Sequence, residues 1–221
     1  MNIKPIPFNT EMVKAILDGQ KTQTRRVVKG IEGLNVYRAE PAEDAYETLH
    51  QWDFFYGWSE NGALFDAIQS VKAPYAPGDI MWVRETWTPF CLNKDAGKGA
   101  VVGHHDFCYK ASLNDCMDEM GCKWKPSIHM PKEAARIFLR VKNLRVERLR
   151  DITAADIRSE GLTSMCAFVG DMEIALPEWC NLWNSTIKKA DIPLYGWDAN
   201  PWVWVIEFER CEKPEGWCEN E

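Results

Sequence analysis

One stretch near the start limits the fold more than any other: Thr10-Glu-Met-Val-Lys-Ala-Ile-Leu-Asp-Gly19-Gln-Lys21-Thr-Gln-Thr24-Arg25-Arg26. Met12, Val13, Ile16 and Leu17 recur at helical spacing and give one apolar face, which must lie on a core. Asn9 or Thr10 can cap the first turn, and Glu11 sits where the helix dipole favours a negative charge. Gly19 supplies the left-handed residue that ends the helix. The chain then runs directly into Lys21, Thr24, Arg25 and Arg26. An amine, a hydroxyl and two guanidinium groups presented together suit a phosphate or a polarised base, and a solvated basic turn has the same local pattern.

The partners of that helix are strands. Asp53 to Phe65 reads as a hairpin with Asn61-Gly62 at its turn. Ala73-Pro-Tyr-Ala-Pro-Gly78-Asp79 is loop chemistry, and Ile80 to Trp87 is a strand with Arg84 and Glu85 on opposite faces. Ala135 to Val146 alternates, with Ile137, Leu139 and Val141 on one side and Arg136, Arg140 and Lys142 on the other, and continues to Arg148. Trp202 to Arg210 is apolar on both faces, as a central strand can be. Val27-Val28 can begin a further strand.

Two more helices follow from local signals. Thr153 and Asp156 resemble a capping box that opens a short helix, and Gly161 closes it. Glu160 falls at its C-terminal end, where the dipole disfavours a negative charge, so this carboxylate needs a cationic partner or a function. Pro177 to Lys189 forms the other helix, with Pro177 in the first turn and Leu176, Trp179, Leu182, Trp183 and Ile187 as its apolar stripe. The tail from Cys211 to Glu221 is acidic and expected to fray.

Composition narrows the function. A length of 221 residues suits one large domain or a small domain with long insertions. The net charge of −7 and pI of about 5.3 argue against coating duplex DNA and leave room for a local basic cleft. Eleven tryptophans supply core and flat faces for stacking bases. There is no apolar run of membrane-spanning length, and Met1-Asn-Ile-Lys lacks a signal-peptide core, so a cytoplasmic protein with no membrane association is expected. The eight cysteines are then thiols. His104, His105, Cys108, Cys116 and Cys122 fit no common zinc spacing, so neither a metal nor another cofactor is expected.

Gly19-x-Lys21-x-x-Thr24-x-Arg26 resembles the GxKxxExR signature of the ASCH family, with Thr24 where that signature has glutamate. Threonine at that position is similar to the bacterial N4-acetylcytidine amidohydrolases of the family. Pro77-Gly-Asp-Ile-Met-Trp82-Val-Arg84-Glu85-Thr-Trp87 and Trp124-Lys-Pro-Ser-Ile-His129-Met-Pro131 resemble its long, phage- and prophage-associated branch. The resemblance implies an α+β fold built on a PUA-like β-barrel with flanking helices. It implies a single domain over 1–221, with insertions at about 30–75 and 90–125. It also implies Lys21 as base, Thr24 as nucleophile and Glu160 as proton carrier or orienter of the lysine.

Other side chains can line the same cleft. Arg25, Arg26 and Arg84 can hold a phosphate or carbonyl. Glu85 and Trp87 end a strand, Tyr109 follows an irregular region, and Trp124 and His129 sit on a proline-pinned loop. Three functions are compatible with these residues. One is recognition of RNA or a modified nucleoside between aromatic rings. Another is hydrolysis of an N-acylated base such as N4-acetylcytidine, which needs a neutral, desolvated Lys21 beside a threonine hydroxyl. The third is a metal-independent ribonuclease using Lys21 and Tyr109. A non-catalytic, phage-related interaction role is also compatible, because a fold does not fix function.

Overall fold

The computed structural model describes residues 1–42, 51–60, 63–89, 107–112, 123–162 and 172–217. In chain order its elements are β1 (Ile3–Pro7), α1 (Thr10–Leu17), β2 (Gln23–Val27), β3 (Val36–Pro41), β4 (Gln51–Glu60), β5 (Ala63–Lys72), β6 (Ile80–Arg84), β7 (Trp87–Pro89), β8 (Phe107–Tyr109), β9 (Phe138–Arg148), α2 (Ala154–Ser159), α3 (Met172–Thr186), α4 (Ile192–Tyr195) and β10 (Trp202–Cys211), with short 3₁₀ turns between some of them. This is an α+β fold with mixed sheets. The described strands form no closed barrel. The chain divides into two compact units, one of Met1–Gly19, Ile80–Arg140 and Glu209–Glu221, the other of Gln20–Asp79 and Val141–Phe208.

In the first unit β1 runs parallel to β6, in register from Ile3 opposite Ile80 to Pro7 opposite Arg84, and β6 pairs antiparallel with the start of β9. Pro5 and Pro7 lack a donor and suit β1 to the edge position that it holds. Asn9 caps α1 by accepting from the Met12 backbone N–H at 2.8 Å, and Gly19 ends the turn at φ +74°. Ile80, Trp82, Phe138 and Trp217 form one core cluster, with the Trp217 ring 5.8 Å from Trp82 and 5.1 Å from Phe138. The tail is therefore docked as far as Trp217 instead of frayed, because its indole has an apolar site to fill. Residues 124–131, expected to be extended, contain a 3₁₀ turn at Ser127–His129.

In the second unit β10 pairs antiparallel with β2, Val203 opposite Val27 through Glu207 opposite Gln23. β2 begins at Gln23, four residues before the apolar pair expected to start it. Its polar side chains are made compatible with a strand by buried partners. The other sheet has the order β3-β4-β5, with β4 and β5 paired antiparallel up to Glu60 opposite Ala63, and the expected turn residues Asn61 and Gly62 lie outside the described residues. Alternation sends the two faces of β10 to different neighbours. Val203 and Val205 join Trp179, Trp183, Ile157 and Leu149 under α2 and α3, while Trp202 and Trp204 meet Phe54 of β4 edge-on at 6.2 and 6.1 Å. That double burial explains why the strand is apolar from Trp202 to Ile206.

The capping box of α2 is complete: the Asp156 backbone N–H donates to Thr153 Oγ1 and the Thr153 N–H donates to Asp156 Oδ2. Gly161 follows at φ +90°. α3 begins at Met172, so Pro177 lies inside the helix and not in its first turn, and one backbone hydrogen bond is given up there. No helix among the described residues is long and apolar enough to cross a membrane.

Candidate functional site

The expected pairing of Lys21 with Glu160 is present in the second unit. α2 ends at Glu160 and the chain leading into β2 carries Lys21, which the backbone fixes through the Thr22 N–H donating to the Ser159 carbonyl at 2.8 Å. Lys21 Nζ donates to Glu160 Oε2 at 2.8 Å and to the Glu160 backbone carbonyl at 2.8 Å. Both side chains are almost wholly buried, at 0% and 2% exposure. The ammonium thus satisfies a carbonyl at the negative end of α2 as well as the carboxylate, which answers the demand of a glutamate placed there.

Register divides the remaining basic residues between two faces. Residues directly opposite share a face, so Arg25 lies with Val205 toward α2 and α3, while Thr24 and Arg26 lie with Ile206 and Trp204 on the other. Arg25 meets carboxylates: Nη1 donates to Glu160 Oε1 at 3.1 Å and Nε to Glu147 Oε1 at 3.1 Å, with Asp156 Oδ2 at 3.4 Å. Its guanidinium is fully buried and spent on these three groups, so the substrate-contact role expected for Arg25 is corrected to an internal one. Thr24 is buried too, and its Oγ1 accepts from Arg26 Nη1 at 2.8 Å. Arg26 is half-buried.

Charge states follow from this packing. Burial pushes the Lys21 amine below its ordinary value. The attraction of Glu160 opposes that, and the guanidinium groups of Arg26 and Arg25 reinforce it. Burial likewise lowers Arg26, against the pull of Glu160 and Tyr75. Burial pushes the Tyr75 hydroxyl up to about 12, with Arg26 acting in the opposite sense, so it stays a neutral donor. For Asp156, burial acts upward, yet hydrogen bonds from Thr153 and Gln23 and the charge of Arg25 hold the carboxyl below the usual range.

The other expected cleft residues belong to the first unit. Glu85 is fully buried and accepts from Arg136 at both oxygens, Nε at 2.8 Å and Nη2 at 2.9 Å. Trp87 is 6% exposed, with Phe107 edge-on at 5.6 Å and the Lys125 ammonium 5.1 Å from its ring, so it offers no open stacking face. Arg84 donates to the Ile128 carbonyl. The Tyr109 hydroxyl donates to the Ala134 carbonyl at 2.7 Å, burial pushes it up to about 12, and Arg136 lies 4.0 Å from its ring. Lys110 Nζ lies 5.9 Å from the half-buried Trp124 ring, and His129 is exposed. His104, His105, Cys116 and Cys122 lie outside the described residues. Among the described residues no cluster of ligands could hold a metal, and Cys108 is half-buried on β8.

Sequence reasoning missed Gln23, Tyr75, Arg145 and Glu147. Asp156 was legible only as a cap, yet it also accepts from Gln23 Nε2 at 2.9 Å and Arg145 Nη2 at 3.0 Å. A signal existed for three of these: Arg145 and Glu147 sit two apart on an alternating strand and so share a face. For Tyr75 the signal was an aromatic ring between Pro74 and Pro77, which a solvated loop does not need. Comparison with protein-family models, with curated proteins and with solved structures found no match.

Proposed function

We propose that the second unit recognises a nucleobase and hydrolyses an N-acyl group from it, with N4-acetylcytidine as the representative substrate. The single observation that carries this reading is the burial of the Lys21 amine between one carboxylate and two guanidinium groups. Burial lowers the amine and so favours its neutral, proton-accepting form more than solvent does, which is what a lysine acting as a base requires. The ASCH resemblance of Gly19, Lys21, Thr24 and Arg26, and the PUA-like barrel it implies, belong to the same proposal.

The steps balance with water as the only co-reactant. The Lys21 amine takes the Thr24 hydroxyl proton as Oγ1 bonds to the acyl carbon. The resulting oxyanion is stabilised by a cation, a role suited to Arg26, which already donates to Thr24 Oγ1. Collapse breaks the C–N bond, and the base leaves as the free amine with the proton returned from Lys21. Water then cleaves the threonine ester, giving acetate and the regenerated hydroxyl. Glu160 holds the lysine throughout.

Turnover of N4-acetylcytidine by wild type and by Lys21→Ala, Glu160→Ala, Thr24→Ala and Arg84→Ala tests this. The first three variants are expected to lose at least about 100-fold in rate, in the range typical of acid–base and nucleophilic groups. Arg84→Ala is expected to retain most activity. Equal turnover in wild type and Lys21→Ala would sink the reading. Binding of short RNAs that depends on arginines and weakens with salt, without turnover, would favour a non-catalytic recognition module instead.

A further inference from the structure

Arg25, itself fully buried, stands at the centre of a charge network whose outer members reach three elements. Nε and Nη2 both bond Glu147 of β9, Nη2 lies 3.4 Å from Asp156 of α2, and Nη1 donates to Glu160 Oε1 at 3.1 Å. Glu147 and Asp156 are shared in turn with Arg145, at 3.1 and 3.0 Å, and Arg145 also pairs with Glu207 of β10. The second oxygen of Glu160 accepts from Lys21. One carboxylate therefore serves two buried cations, one oxygen each.

We propose that Arg25 is a positioning residue: anchored by Glu147 and Asp156, it claims one oxygen of Glu160, limits the counter-charge that Lys21 receives, and so sets the protonation state of the Lys21 amine. This rests on reading Lys21 as the proton-accepting group. A carboxylate divided between two cations compensates each less than it would compensate one alone, and a second buried cation also repels the first. The charged groups facing Lys21 are Glu160 from the end of α2 and Arg25 and Arg26 from β2. Behind them stand Glu147 and Arg145, Asp156, Glu207, and Tyr75 beside Arg26.

Within this network Arg25 joins the carboxylate of Lys21 to the outer acids. Two substitutions must then move Lys21 in opposite directions. Arg25→Gln releases Glu160 Oε1 from Arg25 and removes a repelling charge, which favours the ammonium. Glu147→Gln leaves Arg25 less neutralised, which strengthens its hold on Glu160 and its repulsion of Lys21, and favours the neutral amine. A loss of stability alone has no reason to produce opposite signs.

The experiment is a carbon-13 titration of lysine side chains in the full chain, with the Lys21 Cε resonance assigned by its absence in Lys21→Met. The expected result is a midpoint moved to higher pH in Arg25→Gln and to lower pH in Glu147→Gln. The acid limb of the pH–rate profile on N4-acetylcytidine is expected to move with it. Unmoved midpoints, or shifts of the same sign, overturn the proposal. Should Arg25→Gln fail to fold, Glu147→Gln decides alone, and an absent or upward shift there overturns it. Opposite shifts in a protein with no turnover would keep the role of Arg25 and remove the enzymatic reading. Turnover with unmoved titrations would do the reverse.

Discussion

At the scale of the residue, Asp156 shows how one carboxylate serves structure and site together. It closes the capping box of α2, accepts from Gln23 and Arg145, and lies beside Arg25. Its folded carboxyl is held below the usual range, so the unfolded chain binds more protons as pH falls. The stability it contributes is present above the ordinary aspartate value and is lost as pH drops through and below that value. Urea unfolding midpoints are therefore expected to fall between pH 6 and pH 3, and to fall less steeply in Asp156→Asn. An unchanged slope in that variant would show that other carboxylates carry the acid sensitivity. Lys21 acts at the other end of the scale. Its lowered value makes stability rise with pH between its folded value and that of an ordinary lysine, because there the unfolded chain again binds more protons.

At the scale of the element, α2 is a short helix that depends on its caps. Thr153→Ala removes the acceptor for the Asp156 backbone N–H and is expected to cost about 1 kcal/mol, read as a lower denaturant midpoint. The first unit has a comparable dependence on its tail. Trp217→Ala empties the site against Trp82 and Phe138 and is expected to cost about 3–5 kcal/mol, whereas a frayed tail would make the substitution neutral. Legibility in the sequence follows the range of the forces involved. The cap and glycine stop of α1, the hairpin of β4 and β5 and the capping box of α2 rest on neighbours within a few residues, and all were readable. β2 was not, because Gln23 and Arg25 look like a solvated turn until Asp156, Glu147 and Glu160 cover them. Those partners lie 133, 122 and 135 residues away. Pro177 misled for a related reason, since tertiary packing of Trp179 and Trp183 sustains a helix that extends back past it.

At the scale of the whole molecule, the candidate residues separate into two sets. Lys21, Thr24, Arg25, Arg26 and Glu160 belong to one unit, and Arg84, Glu85, Trp87, Tyr109, Trp124 and His129 to the other. The sequence could suggest that all were polar or aromatic residues suited to a cleft, but which of them share a unit depends on strand order and register. Within the second unit the position of Glu160 at a helix C-terminus called for a cation, and only the resemblance singled out Lys21 as that cation. The role of Arg25 was not, because a strand's faces are assigned only once its partner is known. The region near 30–75, expected as an insertion, supplies the β3-β4-β5 sheet that covers Trp202 and Trp204.

The central claim, that the buried Lys21–Glu160 pair works on an acylated base, is most directly tested by a time course of purified wild-type protein with N4-acetylcytidine, quantifying cytidine and acetate. The expected result is one cytidine and one acetate per substrate consumed, at a rate that collapses in Glu160→Ala although that variant remains folded. Intact N4-acetylcytidine after prolonged incubation with folded wild-type protein would contradict it.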